Sequence, residues 1–120
     1  MIVNSGSYTA THTPFSDEPN GNGNTIKGSA IAVSQHTTNY PISVTINGGT
    51  FAGAYALYEA DVQDSTTDVS ISVAGGTFNG GVYSENCRKF ITGGSFANDP
   101  SAYVADGYEA TLVDGRYTVQ

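Results

Sequence analysis

A chain of 120 residues with 38% hydrophobic residues, 15 glycines and no tryptophan has room for one domain with a modest core. The net charge of −7, with Lys27, Arg88, Lys89 and Arg116 as the only lysines and arginines, excludes nucleic-acid binding, which needs a basic stripe to release counterions. The same charge sets the chain against anionic membrane surfaces, and no apolar run approaches the roughly 18 residues of a membrane span.

Met1-Ile2-Val3-Asn4 turns polar at once, so no signal peptide is expected here, and the chain starts as if in mid-pattern. The pattern is a hexamer, Val3-Asn4-Ser5-Gly6-Ser7-Tyr8. Residues 11–27, with Pro14, Pro19 and Asn20-Gly21-Asn22-Gly23-Asn24, read as a loop. Ser29-Ala30-Ile31-Ala32-Val33-Ser34 alternates with the period of a strand, and so does Ile42-Ser43-Val44-Thr45-Ile46, which puts Ile42, Val44 and Ile46 on one face. The hexamer then returns as Ile46-Asn47-Gly48-Gly49-Thr50-Phe51. Ala54-Tyr55-Ala56-Leu57-Tyr58 reads as a further strand; Ala54, Ala56 and Tyr58 are expected inside and Tyr55 outside. Residues 61–68 form a second loop. Val69-Ser70-Ile71-Ser72-Val73 repeats the earlier strand and leads into Val73-Ala74-Gly75-Gly76-Thr77-Phe78. Gly81-Val82-Tyr83-Ser84 matches the face that carries Tyr55, and Ile91-Thr92-Gly93-Gly94-Ser95-Phe96 is the fourth hexamer. Asp99 to Val104 reads as one helical turn, with Asp99 as N-cap, Pro100 at the first position and Gly107 past its end. Asp114-Gly115 between two alternating runs signals a hairpin.

The aromatic positions of the hexamers are spaced by 43, 27 and 18 residues. Steps near 20 to 25 residues suit one coil of a solenoid, and 43 is read as two coils. In each hexamer the β-branched residue and the aromatic should point inward, the glycines should bend the chain, and the aromatics should stack as a ladder. The fold class expected is therefore all-β: a short right-handed parallel β-helix (β-solenoid) of about four coils over residues 1–98. Residues 99–120 are expected to cap it with a helical turn and a β-hairpin, covering the last coil's unpaired backbone.

Residues 91–119 resemble the C-terminal unit of GG(T/S)F-type β-helix repeat regions in bacterial cell-surface proteins of gut Firmicutes. The likeness rests on Ile91-Thr92-Gly93-Gly94-Ser95-Phe96, then Asp99-Pro100-Ser101-Ala102-Tyr103-Val104-Ala105-Asp106-Gly107-Tyr108, then the closing hairpin. It is close over the last quarter of the chain, looser in the middle, and weakest in the first forty residues. The resemblance implies an extracellular or surface-exposed bacterial β-solenoid and no particular activity.

No catalytic set emerges. A polysaccharide lyase or phage-type depolymerase would cluster carboxylates with a cationic base on one face of adjacent coils. Glu59 and Glu85, with Arg88 and Lys89, are the residues to test for that. Tyr55 and Tyr83 are the outward aromatics that suit glycan stacking, so Tyr55, Glu59, Tyr83 and Glu85 together make the candidate ligand-binding face. The Asn/Gly run at 20–24 lacks the Asp that a calcium nonapeptide needs in each repeat, and His12 and His36 have no partner at ligand spacing, so no metal or cofactor is expected. Cys87 reads as a small buried apolar side chain. The favoured function is a non-enzymatic structural and interaction module of a secreted or surface protein: a stalk, a display surface or an adhesin-like element. Its partner would be a glycan, a host or matrix protein, or a second copy meeting the uncapped N-terminal edge.

Overall fold

The computed structural model describes residues 1–11, 28–35, 37, 39–65 and 67–120. Pro14, Pro19, the Asn/Gly run at 20–24, Lys27, His12 and His36 lie outside the described residues. Among the described residues the chain is all-β, with ten strands and one short 3-10 turn. Three of the expected strands have the boundaries their alternation implies: β3 (Ser29–Ser34), β4 (Ile42–Ile46) and β6 (Val69–Val73). The others are β1 (Ile2–Val3), β2 (Ser7–Thr9), β5 (Thr50–Ala60), β7 (Thr77–Ser84), β8 (Gly94–Phe96), β9 (Ala110–Val113) and β10 (Arg116–Val119). No helix among the described residues is long and apolar enough to cross a membrane.

The strands form two sheets. β1, β4 and β6 lie side by side in parallel, and isolated bridges carry the ladder on from Val73 to Ile91 and from Ile91 to Val104. In the larger sheet β5, β7 and β8 run parallel, with β2 along the start of β5 and β3 along its end. β10 then joins β8 antiparallel, and β9 joins β10. The hexamers thus lie next to one another in register: Val3, Ile46, Val73 and Ile91 form one column, and Tyr8, Phe51, Phe78 and Phe96 another. The 43-residue spacing is one step and not two, because Tyr8 pairs directly with Phe51.

These columns are the core. Ile46, Val73, Ile91, Phe51 and Phe78 are wholly buried and Phe96 nearly so. The four aromatic rings stack at centroid separations of 5.3, 5.1 and 4.6 Å, within the range where ring pairs add about 0.5–1.5 kcal/mol beyond area burial. The glycine pairs make this spacing possible in two different ways. A Cβ on Gly48 would stand 2.6 Å from the backbone oxygen of Asn4, so the first glycine is needed for close approach. Gly49 has φ +109°, a conformation that L side chains rarely adopt, so the second is needed for the bend.

The expected alternation fails in one place. β5 and β7 slip register between Ala52 and Leu57, and the irregularity changes which side chains face inward. Leu57 and Glu59 are wholly buried and Ala54 is exposed, while Tyr58 stacks with Tyr83 on the outside, the reverse of the face expected for Ala54 and Tyr58. Ala56 is buried as expected.

At the C-terminal end the helical turn is a 3-10 turn, Ser101–Tyr103, with the Asp99 carboxylate accepting the N–H of Ser101 at 3.0 Å. Asp114 and Gly115 both have positive φ (51° and 78°), as a two-residue type I′ hairpin requires. The hairpin pairs along the free edge of β8, Tyr117 beside Phe96 and Val119 beside Gly94, with Val119 buried in the core and Ala110 and Tyr117 packed against it. Arg116 fastens it: Nε donates to Ser95 Oγ and Nη1 to Asn79 Oδ1, both at 2.9 Å.

Candidate functional site

Tyr55, Tyr58 and Tyr83 meet on the outer face where β5 and β7 run together. Tyr58 lies beside Tyr83 in register, with ring centroids 5.0 Å apart, and Tyr55 meets Tyr58 edge-on at 5.0 Å. The Tyr55 ring occupies the space over Gly81, where a Cβ would come within 2.9 Å of it. Glu85 is exposed at the end of this face, and its carboxylate accepts the backbone N–H of Asp61 at 2.7 Å.

Glu59 does not belong to this face. It pairs with Val33 on one side and Ser84 on the other, not with Glu85. That one-residue offset sends the Glu59 and Glu85 side chains to opposite sides of the sheet. Glu59 is wholly buried. Its carboxylate accepts four hydrogen bonds: from Gln35 Nε2 at 2.6 Å, Ser84 Oγ at 2.6 Å, and the backbone and side-chain nitrogens of Asn86 at 2.9 and 2.8 Å. Burial alone pushes its pKa up, but the hydrogen bonds from Asn86, Ser84 and Gln35 together outweigh it and hold the carboxyl below the ordinary glutamate value. Gln35, Ser84 and Asn86 are the residues sequence reasoning missed. The signal was available, since a 27-residue step with a two-residue slip brings Glu59 to Ser84.

The cations are engaged elsewhere. Arg88 Nη1 donates to the backbone oxygens of Ser84 and Cys87 at 2.8 Å, and the guanidinium sits 5.6 Å from the centre of the Tyr103 ring. Lys89 pairs with Asp106 at 2.9 Å on the open surface. Among the described residues Glu59, Glu85, Arg88 and Lys89 therefore do not converge on one groove. Cys87 is buried; burial raises its thiol pKa, and the nearby Glu59 carboxylate adds to the rise, an environment opposite to that of an activated thiolate. Among the described residues no three His, Cys, Asp or Glu side chains gather as a metal site. The chain matches no family model, no curated protein and no solved structure.

Proposed function

We propose that this chain is a short right-handed parallel β-solenoid acting as a non-enzymatic structural and interaction module of a secreted or surface-displayed bacterial protein. The solenoid reading is supported by parallel steps of 43, 27 and 18 residues that keep one β-branched column and one aromatic column in register. The right hand follows from the general preference of parallel crossover connections. It also agrees with the GG(T/S)F cell-surface repeats that the chain's last quarter resembles.

One observation carries the non-enzymatic part. Glu59, the buried member of the candidate carboxylates, spends all its acceptor capacity on Gln35, Ser84 and Asn86. It serves the stack as a fastening and has no open side toward a substrate. What the outer face offers instead is Tyr55, Tyr58, Tyr83 and Glu85, a display surface suited to a glycan or a matrix protein.

The test is a glycan and matrix-protein panel probed with the intact chain and with Tyr83→Ala, with products analysed for each ligand retained. Retention that Tyr83→Ala weakens, with no change in the ligand, is the expected result. Cleavage of a bound polymer overturns the reading.

A further inference from the structure

We propose that the first hexamer, residues 3–8, is a built terminus of the stack: Ser5 and Tyr8 close this edge to any further coil in the same register. The inference rests on the solenoid reading above.

The other three hexamers begin their turn with Gly48, Gly75 and Gly93. In each a Cβ would meet the backbone oxygen of the preceding hexamer, at Asn4, Asn47 and Ala74, at 2.6, 2.7 and 2.3 Å. Real Cβ atoms do not approach backbone oxygens so closely, and a carbonyl held in a ladder has little freedom to move aside. The first hexamer has Ser5 at that position. Ser5 is exposed, and in the register of the other three its Cβ would meet the carbonyl of a coil placed ahead of it.

The second departure is independent of the first. Phe51, Phe78 and Phe96 are 0%, 0% and 1% exposed, whereas the first hexamer ends in Tyr8, 41% exposed, whose hydroxyl donates to the backbone oxygen of Ser5 at 3.2 Å. A further coil in this register would have to take the Tyr8 hydroxyl into a ring column whose other members, Phe51, Phe78 and Phe96, carry no polar group. Gly6 is retained because its φ of +116° is needed whether or not a neighbour follows. The hexamer keeps what its own bend requires and changes what only a preceding neighbour would require. A second copy therefore cannot prolong the stack through this edge in the parallel register, which restricts the self-association expected of an uncapped end.

The test adds a coil. Residues 42–70 are fused ahead of Met1, so that Ile46 of the added segment reaches Val3 as Ile46 reaches Val73 in the native stack. Two versions are compared by amide hydrogen exchange, one with the native hexamer and one with Ser5→Gly and Tyr8→Phe. The added strands should lack protection in the first and gain it in the second. Protection in both overturns the terminus and leaves the solenoid standing. Protection in neither overturns the terminus together with the solenoid reading beneath it.

Discussion

Replacing Glu59 with Met removes one buried acceptor and strands the groups that point at it. Asn86 is exposed and its donors can turn to water, but Gln35 and Ser84 are 2% and 1% exposed and theirs cannot. Each stranded buried donor costs about 1–3 kcal/mol, so the two together cost about 2–6 kcal/mol, reduced by the desolvation the carboxylate no longer suffers. Denaturant unfolding at pH 7 should show this loss. Adding Gln35→Met to Glu59→Met should recover part of it, since that amide is then no longer stranded, while Ser84 is kept because its Oγ accepts the Cys87 N–H at 2.9 Å. The pH dependence follows from the lowered pKa of Glu59 in the fold. The contribution is fully present above the unfolded-chain value of about 4.3 and is lost as the pH falls from there through the folded value. Glu59→Met should flatten that acid limb. If Glu59→Met were as stable as the parent at pH 7 and lost stability in acid with the same slope, the carboxylate would not be the fastening described.

Three further outcomes follow from the core and the edge. Phe51→Ala removes the ring held between Tyr8 and Phe78 and should cost about 3–5 kcal/mol in denaturant unfolding. Gly75→Ala and Gly107→Ala separate the two uses of glycine: the first drives a Cβ to 2.7 Å from the Asn47 oxygen, while the second meets nothing within 4 Å and bears only the strain of φ +84°. Thermal unfolding should therefore show Gly75→Ala as clearly the worse. Arg116→Ala cuts the bonds to Ser95 and Asn79 that hold the hairpin, so hydrogen exchange should accelerate in β9 and β10 while β4 and β6 stay protected.

The parts legible in the sequence are those where one physical rule acts alone. In β4 and β6 Ser or Thr alternates with Ile and Val, and in β3 Ala does, so their ends and inward faces could be read directly. The aromatic column was legible because the β-branched residue, the glycine bend and the aromatic recur at one fixed spacing in all four hexamers. The face of residues 54–59 was misread because alternation was assumed to run unbroken through β5. The clue was a second glycine column: a Cβ on Gly53 would stand 2.6 Å from the Gly28 oxygen, and one on Gly80 would stand 2.3 Å from the Gly53 oxygen. Isolated glycines within strands mark irregularities and close backbone approach, and these mark the register slip. Once the slip is allowed, Glu59 turns inward and Tyr58 outward. The closing hairpin was legible from Asp114-Gly115, but its docking beside β8 depends on Arg116 reaching Ser95 and Asn79, contacts that no local pattern announces.

The slip also changes how the tyrosine face would recognise a ligand. Isolated outward tyrosines present ring faces, which suit stacking on a sugar. Tyr58 and Tyr83 instead lie nearly parallel to each other, 27° apart, and Tyr55 closes edge-on against Tyr58. Ring faces directed at neighbouring rings are not turned outward, and what the surface presents is ring edges and hydroxyls. Recognition there should rest on a hydrogen bond from the exposed Tyr83 phenol group. Removing one ring and removing one hydroxyl then become separable. For a ligand retained by the intact chain, Tyr83→Phe keeps the stack on Tyr58 and deletes only the hydroxyl, so it should weaken binding nearly as much as Tyr83→Ala, by about tenfold if one net hydrogen bond of about 1–1.5 kcal/mol is lost. Titration calorimetry on the two variants decides it. Full affinity in Tyr83→Phe, with loss only in Tyr83→Ala, would return the recognition to the ring face.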